Sequence, residues 1–133
     1  MDERQVDCVF KLVVEAADQM QLRQVDEAFA TLEGIGGPNL DEWPLAISKA
    51  SDQLRAAKDL ADKAEAAWQP SQPEAARELW RNAEDAVAAA SVHCTMKMSS
   101  RVGMWTVEME DAWPTLVRAF KEYLRDRKRR TTA

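Results

Sequence analysis

The feature that most constrains the fold is a run of small and aromatic side chains between residues 43 and 68, spaced alternately four and three positions apart. This heptad spacing is typical of α-helices that pack lengthwise against one another. The seam predicted to face a neighbouring helix consists of Trp43, Ile47, Ala50, Leu54, Ala57, Ala61, Ala64 and Trp68. Because its centre is mostly alanine, we expect the neighbouring helix to approach closely, with a tryptophan closing each end of the seam.

The beginning of this helix is marked by the letters DEWP at residues 41–44. Asp41 is predicted to be the N-cap, because a carboxylate accepts hydrogen bonds from the first free N–H groups of a helix. Trp43 and Pro44 then become the second and third helical residues, where a proline costs no intrahelical hydrogen bond. The sequence therefore predicts a helix over residues 42–68.

The same pattern recurs as DAWP at residues 111–114, inside a longer helical pattern over residues 103–129. A proline in a helix interior costs ~3 kcal/mol, because it removes a hydrogen bond and clashes with the preceding turn. We therefore expect the last helix either to restart at Asp111 or to kink near Pro114. Its tryptophan, Trp113, is predicted to lie in the core like that of the first copy, and a surface that stacks a ligand or binds a partner is the alternative.

Apolar residues at helical spacing predict two further segments. The first covers residues 5–33, either as one helix or as two separated by a break near residues 21–24. The other covers residues 73–99 and carries a second alanine-rich seam. The chain is thus predicted to form one all-α domain over residues 1–133, an up-down helical bundle of about four helices, three of them long, with alanine-rich, coiled-coil-like packing.

Composition is consistent with a folded domain, because 46% of the residues are hydrophobic and 31% are charged. Two cysteines, Cys8 and Cys94, are too few for a disulfide framework, which favours a reducing compartment. No apolar run approaches the roughly 18–20 residues that a membrane helix needs. We therefore expect a cytoplasmic protein with no membrane partner.

Charge is distributed unevenly along the chain. The net charge is −5, yet residues 118–130 hold seven Lys or Arg against two acids, so the first 117 residues carry −10. The basic end over residues 126–133 is expected to be frayed. The residues predicted to contact phosphate or an acidic surface are Arg125, Arg127, Lys128, Arg129 and Arg130. The alternative is a solvated helix end whose cations complement the helix dipole.

Methionines concentrate between residues 95 and 110, where helix signals are also weak. Methionine clusters form adaptable binding surfaces, but they also fill irregular cores, and we favour core filling. If the body of the protein has a partner groove, its predicted residues are Met96, Met98, Met104, Trp105 and Met109.

Motifs for catalysis or metal binding are absent from the sequence. His93 and Cys94 are adjacent, and neighbouring helical positions point apart, which suits neither a shared metal nor a Cys–His nucleophile pair. The one histidine has Ala90 three positions before it, so the Glu-x-x-His pattern of di-metal carboxylate bundles is absent. We therefore predict a protein that is not an enzyme and holds no cofactor and no metal.

Two functions are compatible with these features. The first is a non-enzymatic interaction protein, a small regulator, adaptor or inhibitor that binds another protein through a helical face. A homodimer is also predicted, because a long heptad seam often needs a second chain to cover it. The alternative is a nucleic-acid-linked protein, which either contacts phosphates with the basic end or uses its acidic body to block a nucleic-acid-binding protein.

Overall fold

The computed structural model describes residues 3–35, 42–98 and 107–132, with side chains over residues 8–35, 47–90 and 112–131. Within these ranges the chain forms helices and no strand, which confirms the predicted all-α fold. The helices are α1 (Glu3–Gln21), α2 (Val25–Glu33), α3 (Glu42–Ala67), α4 (Glu74–Met98) and α5 (Val107–Thr132).

The bundle is organised around the α3–α4 hairpin, whose two helices share the most extensive contact, with α5 packed between α1 and α4. At one end, Arg127 near the end of α5 contacts Glu65 near the end of α3. Lys128 contacts Glu84, which lies in the first half of α4. Helices α3 and α5 therefore finish at the same end of the bundle, while α4 runs in the opposite direction, as an up-down bundle requires.

Helix α3 begins where the DEWP motif predicts. Its first residue is Glu42, so Trp43 and Pro44 are its second and third residues, while Asp41 lies outside the described residues. The predicted seam is confirmed over its described part by six side chains with no solvent exposure, namely Ile47, Ala50, Leu54, Ala57, Ala61 and Ala64. The chain's own helices cover this seam, so the seam spacing provides no argument for a second chain. Trp68 follows the end of α3 and is half-buried.

The first predicted segment is two helices, because α1 and α2 are separated by a tight turn. Arg23 in this turn has φ 63°, a left-handed conformation that costs a residue with a side chain roughly 1–2 kcal/mol. The amide of Gln24 closes the turn by donating to the carbonyl of Gln19 at 2.9 Å. Leu22 falls between the apolar stripes of the two helices and is 70% exposed. The drift of the apolar pattern in the sequence therefore marks a change of helix.

Helix α5 excludes one of the two alternatives predicted for the last segment. It runs from Val107 to Thr132 without interruption and contains Pro114 as its eighth residue, so no restart occurs at Asp111. A kink at Pro114 stays a prediction. The end predicted to be frayed is also helical as far as Thr132, and the predicted start at residue 103 lies outside the described residues.

Burial explains why the helix continues through the proline. Four large side chains next to Pro114 or within two turns after it are at most 2% exposed: Trp113, Leu116, Val117 and Phe120. Burying one such side chain contributes about 1.5–3 kcal/mol. Together they outweigh the ~3 kcal/mol that a proline costs inside a helix.

The core is continuous across all five helices. Phe29 of α2 meets Phe120 of α5 edge-on, with ring centroids 5.7 Å apart. The prediction that Trp113 lies in the core is confirmed, since its side chain has no solvent exposure. Trp80 is almost as deeply buried, and the indole nitrogens of both tryptophans have no hydrogen-bond partner among the described residues.

Candidate binding face of the last helix

The second half of α5 concentrates six of the chain's 18 lysine and arginine residues. A helix has 3.6 residues per turn, so consecutive charges in the sequence fall on different faces. The inner face is fixed by the buried residues Leu116, Phe120 and Leu124. Each cation must therefore be assigned by its position around the helix, and the contacts divide the cations into three groups.

Arg127 forms the first group, because it lies on the inner face and is 7% exposed. Its guanidinium binds Glu65 with two parallel hydrogen bonds, from Nε at 2.8 Å and from Nη2 at 2.6 Å. Nη2 also donates to Asp62 at 2.8 Å, and Nη1 donates to the hydroxyl of Tyr123 at 3.2 Å. Two-pronged carboxylate binding of this kind is the strongest geometry available to an arginine. Arg127 therefore fastens the end of α5 to the end of α3.

The second group consists of charges paired across helices near the surface. Lys128 donates to Glu84 of α4 at 3.3 Å. Arg23, from the turn between α1 and α2, lies 3.4 Å from Glu122 and 4.0 Å from Asp126. These contacts pair both acids in the second half of α5 with Arg23.

The third group is exposed and makes no ion pair with the described residues; it consists of Arg118, Lys121, Arg125, Arg129 and Arg130. The first four follow one another at intervals of three, four and four positions, which places them on one side of a helix. We call Arg118, Lys121, Arg125 and Arg129 the basic stripe. It covers about three turns of the outer face of α5.

Clefts flank the stripe on both sides. On the α4 side, a shallow cavity of 140 Å³ is lined by Lys121, Arg125 and Leu124 together with Glu84 and Val87. On the α1 side, a wider cleft of 610 Å³ is lined by Arg23, Tyr123, Asp126, Arg129 and Arg130. The basic stripe is therefore a ridge between two depressions.

The contact between Arg127 of α5 and Glu65 of α3 is expected to depend on pH. The hydrogen bonds from Arg127 lower the pKa of Glu65 below its usual value of 4.5, although partial burial acts against them. A carboxyl group with a lowered pKa in the folded state contributes stability above its unfolded pKa, and this contribution is lost as pH falls through the folded value. We therefore expect Glu65→Gln to lower the unfolding free energy most at about pH 7 and progressively less as pH falls below about 4.

Urea unfolding of Glu65→Gln and the parent protein at a series of pH values measures this difference. The control is Glu78→Gln, an exposed acid of α4 without an ion pair in the described part of the chain. It is expected to leave the unfolding free energy within about 0.5 kcal/mol of the parent at every pH. A loss for Glu65→Gln that stays constant from pH 7 to pH 3 contradicts the assignment.

The predicted tail residues thus separate. Arg127 and Lys128 are bound within the chain, whereas Arg125, Arg129 and Arg130 are exposed. The sequence-based prediction treated these residues as one block and omitted Arg118, Lys121 and Arg23. Spacing along α5 contained the signal for the first two, while the proximity of Arg23 depends on the turn before α2.

The predicted methionine groove remains untested. Met104 and Trp105 lie outside the described residues, and Met96, Met98 and Met109 belong to helices but their side chains are not described. The same holds for the side chains of His93 and Cys94.

Two other properties of the chain bear on its chemistry. Among the described side chains, which are those of residues 8–35, 47–90 and 112–131, no three of His, Cys, Asp or Glu gather in a way that could hold a metal ion. None of the helices in these ranges combines the length and the apolar character that crossing a membrane requires.

Comparison with known proteins adds no functional assignment. The chain matches no family model, and no curated protein or solved structure is significantly similar to it.

Proposed function

We propose that the protein is a non-enzymatic interaction protein that binds an acidic segment of another protein along the basic stripe of α5. The observation that carries this proposal is the separation of charges on that helix. Arg127 is paired with Glu65 inside the bundle. The basic stripe, in contrast, is exposed and pairs with none of the described residues.

The stripe brings repulsion between like charges into α5, although Arg129 in the last turn complements the helix dipole. Like charges three or four positions apart on a helix destabilise it by about 0.2–0.5 kcal/mol per pair, and the stripe contains three such pairs. An acidic partner would remove this repulsion by placing negative charge between the cations. The arrangement therefore supports binding better than it supports stability.

The described surface favours an interaction driven by charge. Among the placed side chains, the large apolar residues that are exposed are Val14 and Leu22, which lie on α1 and in the turn after it. An obligate interface needs a large apolar core, whereas charged surfaces favour rapid and salt-sensitive association. The proposed complex is accordingly reversible, and its affinity decreases as salt concentration rises.

A protein partner is preferred to a nucleic acid because of the rest of the chain. The first 117 residues carry −10, and such a field repels an extended polyanion at long range. A short acidic segment contacts the outer face of α5 alone and meets less of this repulsion. Nucleic-acid binding is therefore the competing outcome of the experiment.

The experiment measures the affinity of the full chain for a short poly-L-glutamate chain, which represents the acidic segment, and for a short DNA duplex at several salt concentrations. The test variant combines Arg118→Gln, Lys121→Gln and Arg125→Gln. The matched control combines Lys49→Gln, Lys63→Gln and Arg81→Gln, which removes the same charge from exposed positions of α3 and α4. At low salt we expect the test variant to bind poly-L-glutamate about tenfold more weakly than the parent, and the control to bind it within about twofold.

Three results would contradict the proposal. One is equal weakening in the test and control variants, which indicates a response to net charge alone. Another is the absence of saturable binding to poly-L-glutamate by the parent protein. The third is tighter binding of the DNA duplex than of poly-L-glutamate with the same dependence on the stripe, which assigns the surface to nucleic acid.

A further inference from the structure

The wider cleft beside the stripe lies where the turn between α1 and α2 meets the last turns of α5. Helix α1 ends at Gln21 and α2 begins at Val25, whereas α5 continues to Thr132. The cleft of 610 Å³ is bounded by Arg23 on the side of the turn and by Tyr123, Asp126, Arg129 and Arg130 on the side of α5. Residues that are distant in the sequence thus form its two walls.

The lining is rich in donors for an anion. It contains three guanidinium groups and one carboxylate, so its net charge is +2. A guanidinium offers five N–H donors in a planar fork that matches carboxylate and phosphate oxygens. The hydroxyl of Tyr123 accepts a hydrogen bond from Arg127, which directs its own proton to another acceptor.

Arg23 is held in position before any ligand binds. Its Nη1 donates to the carbonyl of Met20 at 3.4 Å and to the carbonyl of Ala119 at 3.3 Å. Its contacts with Glu122 and Asp126 are long, at 3.4 and 4.0 Å, and more than a third of each side chain is exposed. Exposed pairs of this kind contribute little, so a ligand with higher charge is able to displace the carboxylate of Asp126 from Arg23.

We propose that this cleft binds a phosphate monoester dianion. A phosphate monoester carries about −1.5 to −2 charges near neutral pH and presents three acceptor oxygens, which matches three guanidiniums and a net lining charge of +2. A single carboxylate presents two oxygens and one negative charge, so it would leave some of the guanidinium donors without an acceptor. The phosphate is carried either by a small molecule or by a phosphorylated side chain of the protein partner; only the second source rests on the proposed function.

Binding is tested by isothermal titration of the full chain with inorganic phosphate, a sugar phosphate and a phosphoserine peptide. We expect Arg130→Gln to weaken the binding of all three ligands about tenfold, because one charged donor is lost. Asp126→Asn is expected to strengthen binding several-fold, because it removes the negative charge that competes with the ligand. Arg118→Gln, which removes an exposed cation outside the cleft, is the control and is expected to leave the affinity for inorganic phosphate within about twofold.

The pH dependence provides an independent readout. The second pKa of a phosphate monoester is about 6, so affinity is expected to rise between pH 5.5 and pH 7.5 as the dianion forms.

Melting temperatures of the variants confirm that each one is folded.

The source of the phosphate is distinguished by the neighbouring stripe. The phosphoserine peptide used for this comparison has acidic residues on both sides of the phosphoserine. If it binds more tightly than the sugar phosphate, and if Arg118→Gln removes this difference in affinity, a phosphorylated protein is supported. If the sugar phosphate binds as tightly as the phosphopeptide, a small molecule is supported.

Two results overturn the proposal. One is no saturable binding of any of the three ligands, and the other is equal weakening of inorganic phosphate binding by Arg130→Gln and Arg118→Gln. Failure of the parent to bind poly-L-glutamate contradicts the function proposed for the stripe and leaves the titration with inorganic phosphate as a separate test of the cleft.

Discussion

Replacing Trp113 by alanine is expected to lower the unfolding free energy by about 3–5 kcal/mol. The side chain has no solvent exposure and lies next to Pro114, where α5 depends on burial to continue through a proline. Domains of this size have a total stability of about 5–15 kcal/mol, so the variant would lose a large share of it. Urea unfolding followed by helical circular dichroism measures the loss, because this signal does not depend on the removed indole.

Two control variants separate burial from other effects. Trp113→Phe keeps an aromatic ring and removes an indole N–H that finds no hydrogen-bond partner in the described part of the chain. Since an unsatisfied buried donor costs about 1–3 kcal/mol, we expect this variant to lose less than half as much as Trp113→Ala. Trp68→Ala removes a half-buried tryptophan beyond the end of α3 and is expected to cost about 1 kcal/mol. A loss below about 1 kcal/mol for Trp113→Ala would contradict the place of this residue in the core.

Replacing Arg127 by alanine is expected to lower the unfolding free energy by about 2–3 kcal/mol. The variant loses hydrogen bonds to two carboxylates and the packing of the arginine over the Tyr123 ring, whose centroid lies 5.5 Å from its Cζ. Hydrogen bonds to charged groups contribute about 1.5–3 kcal/mol each when shielded from solvent. The expected loss stays below the 3–5 kcal/mol of a fully buried pair, because Asp62 and Glu65 are 48% and 39% exposed and regain hydration.

The control for this prediction is Arg125→Ala, which removes an exposed arginine from the same helix and is expected to change stability by less than about 0.5 kcal/mol. Arg127→Met retains much of the packing without the charge and is expected to lose about 1–2 kcal/mol. Equal losses for Arg125→Ala and Arg127→Ala, measured by urea unfolding at about pH 7, would show that the ion pairs do not fasten α5 to α3.

Much of the fold follows from local information in the sequence. The seam of α3 is visible as a heptad spacing, and its start at Glu42 follows from the first-turn chemistry of the DEWP motif. The same motif misleads at Asp111, because the local cost of Pro114 is offset by burial contributed by other helices. A local motif therefore predicts a helix start correctly only where no tertiary burial opposes it.

The candidate site was less accessible to sequence reasoning. Arg127 lies seven positions after Phe120 and three after Leu124, a spacing that places it on the apolar face of α5. A count of charges in the tail does not show the position of each residue around the helix axis. That position distinguishes Arg127, which contacts other helices, from the arginines that remain exposed. The approach of Arg23 to α5 depends on the left-handed turn before α2, for which the sequence offers no glycine as a signal.

The central claim is that the cations of α5 are divided by helix face, with Arg127 serving the fold and the exposed stripe serving a partner. The most direct measurement compares Arg127→Gln with Arg125→Gln, because each removes one charge from the same helix. Both variants are assayed for unfolding free energy and for affinity to poly-L-glutamate. Arg127→Gln is predicted to lose stability and keep its affinity, and Arg125→Gln is predicted to keep stability and lose affinity. Equal effects of the two variants in both assays would contradict the division.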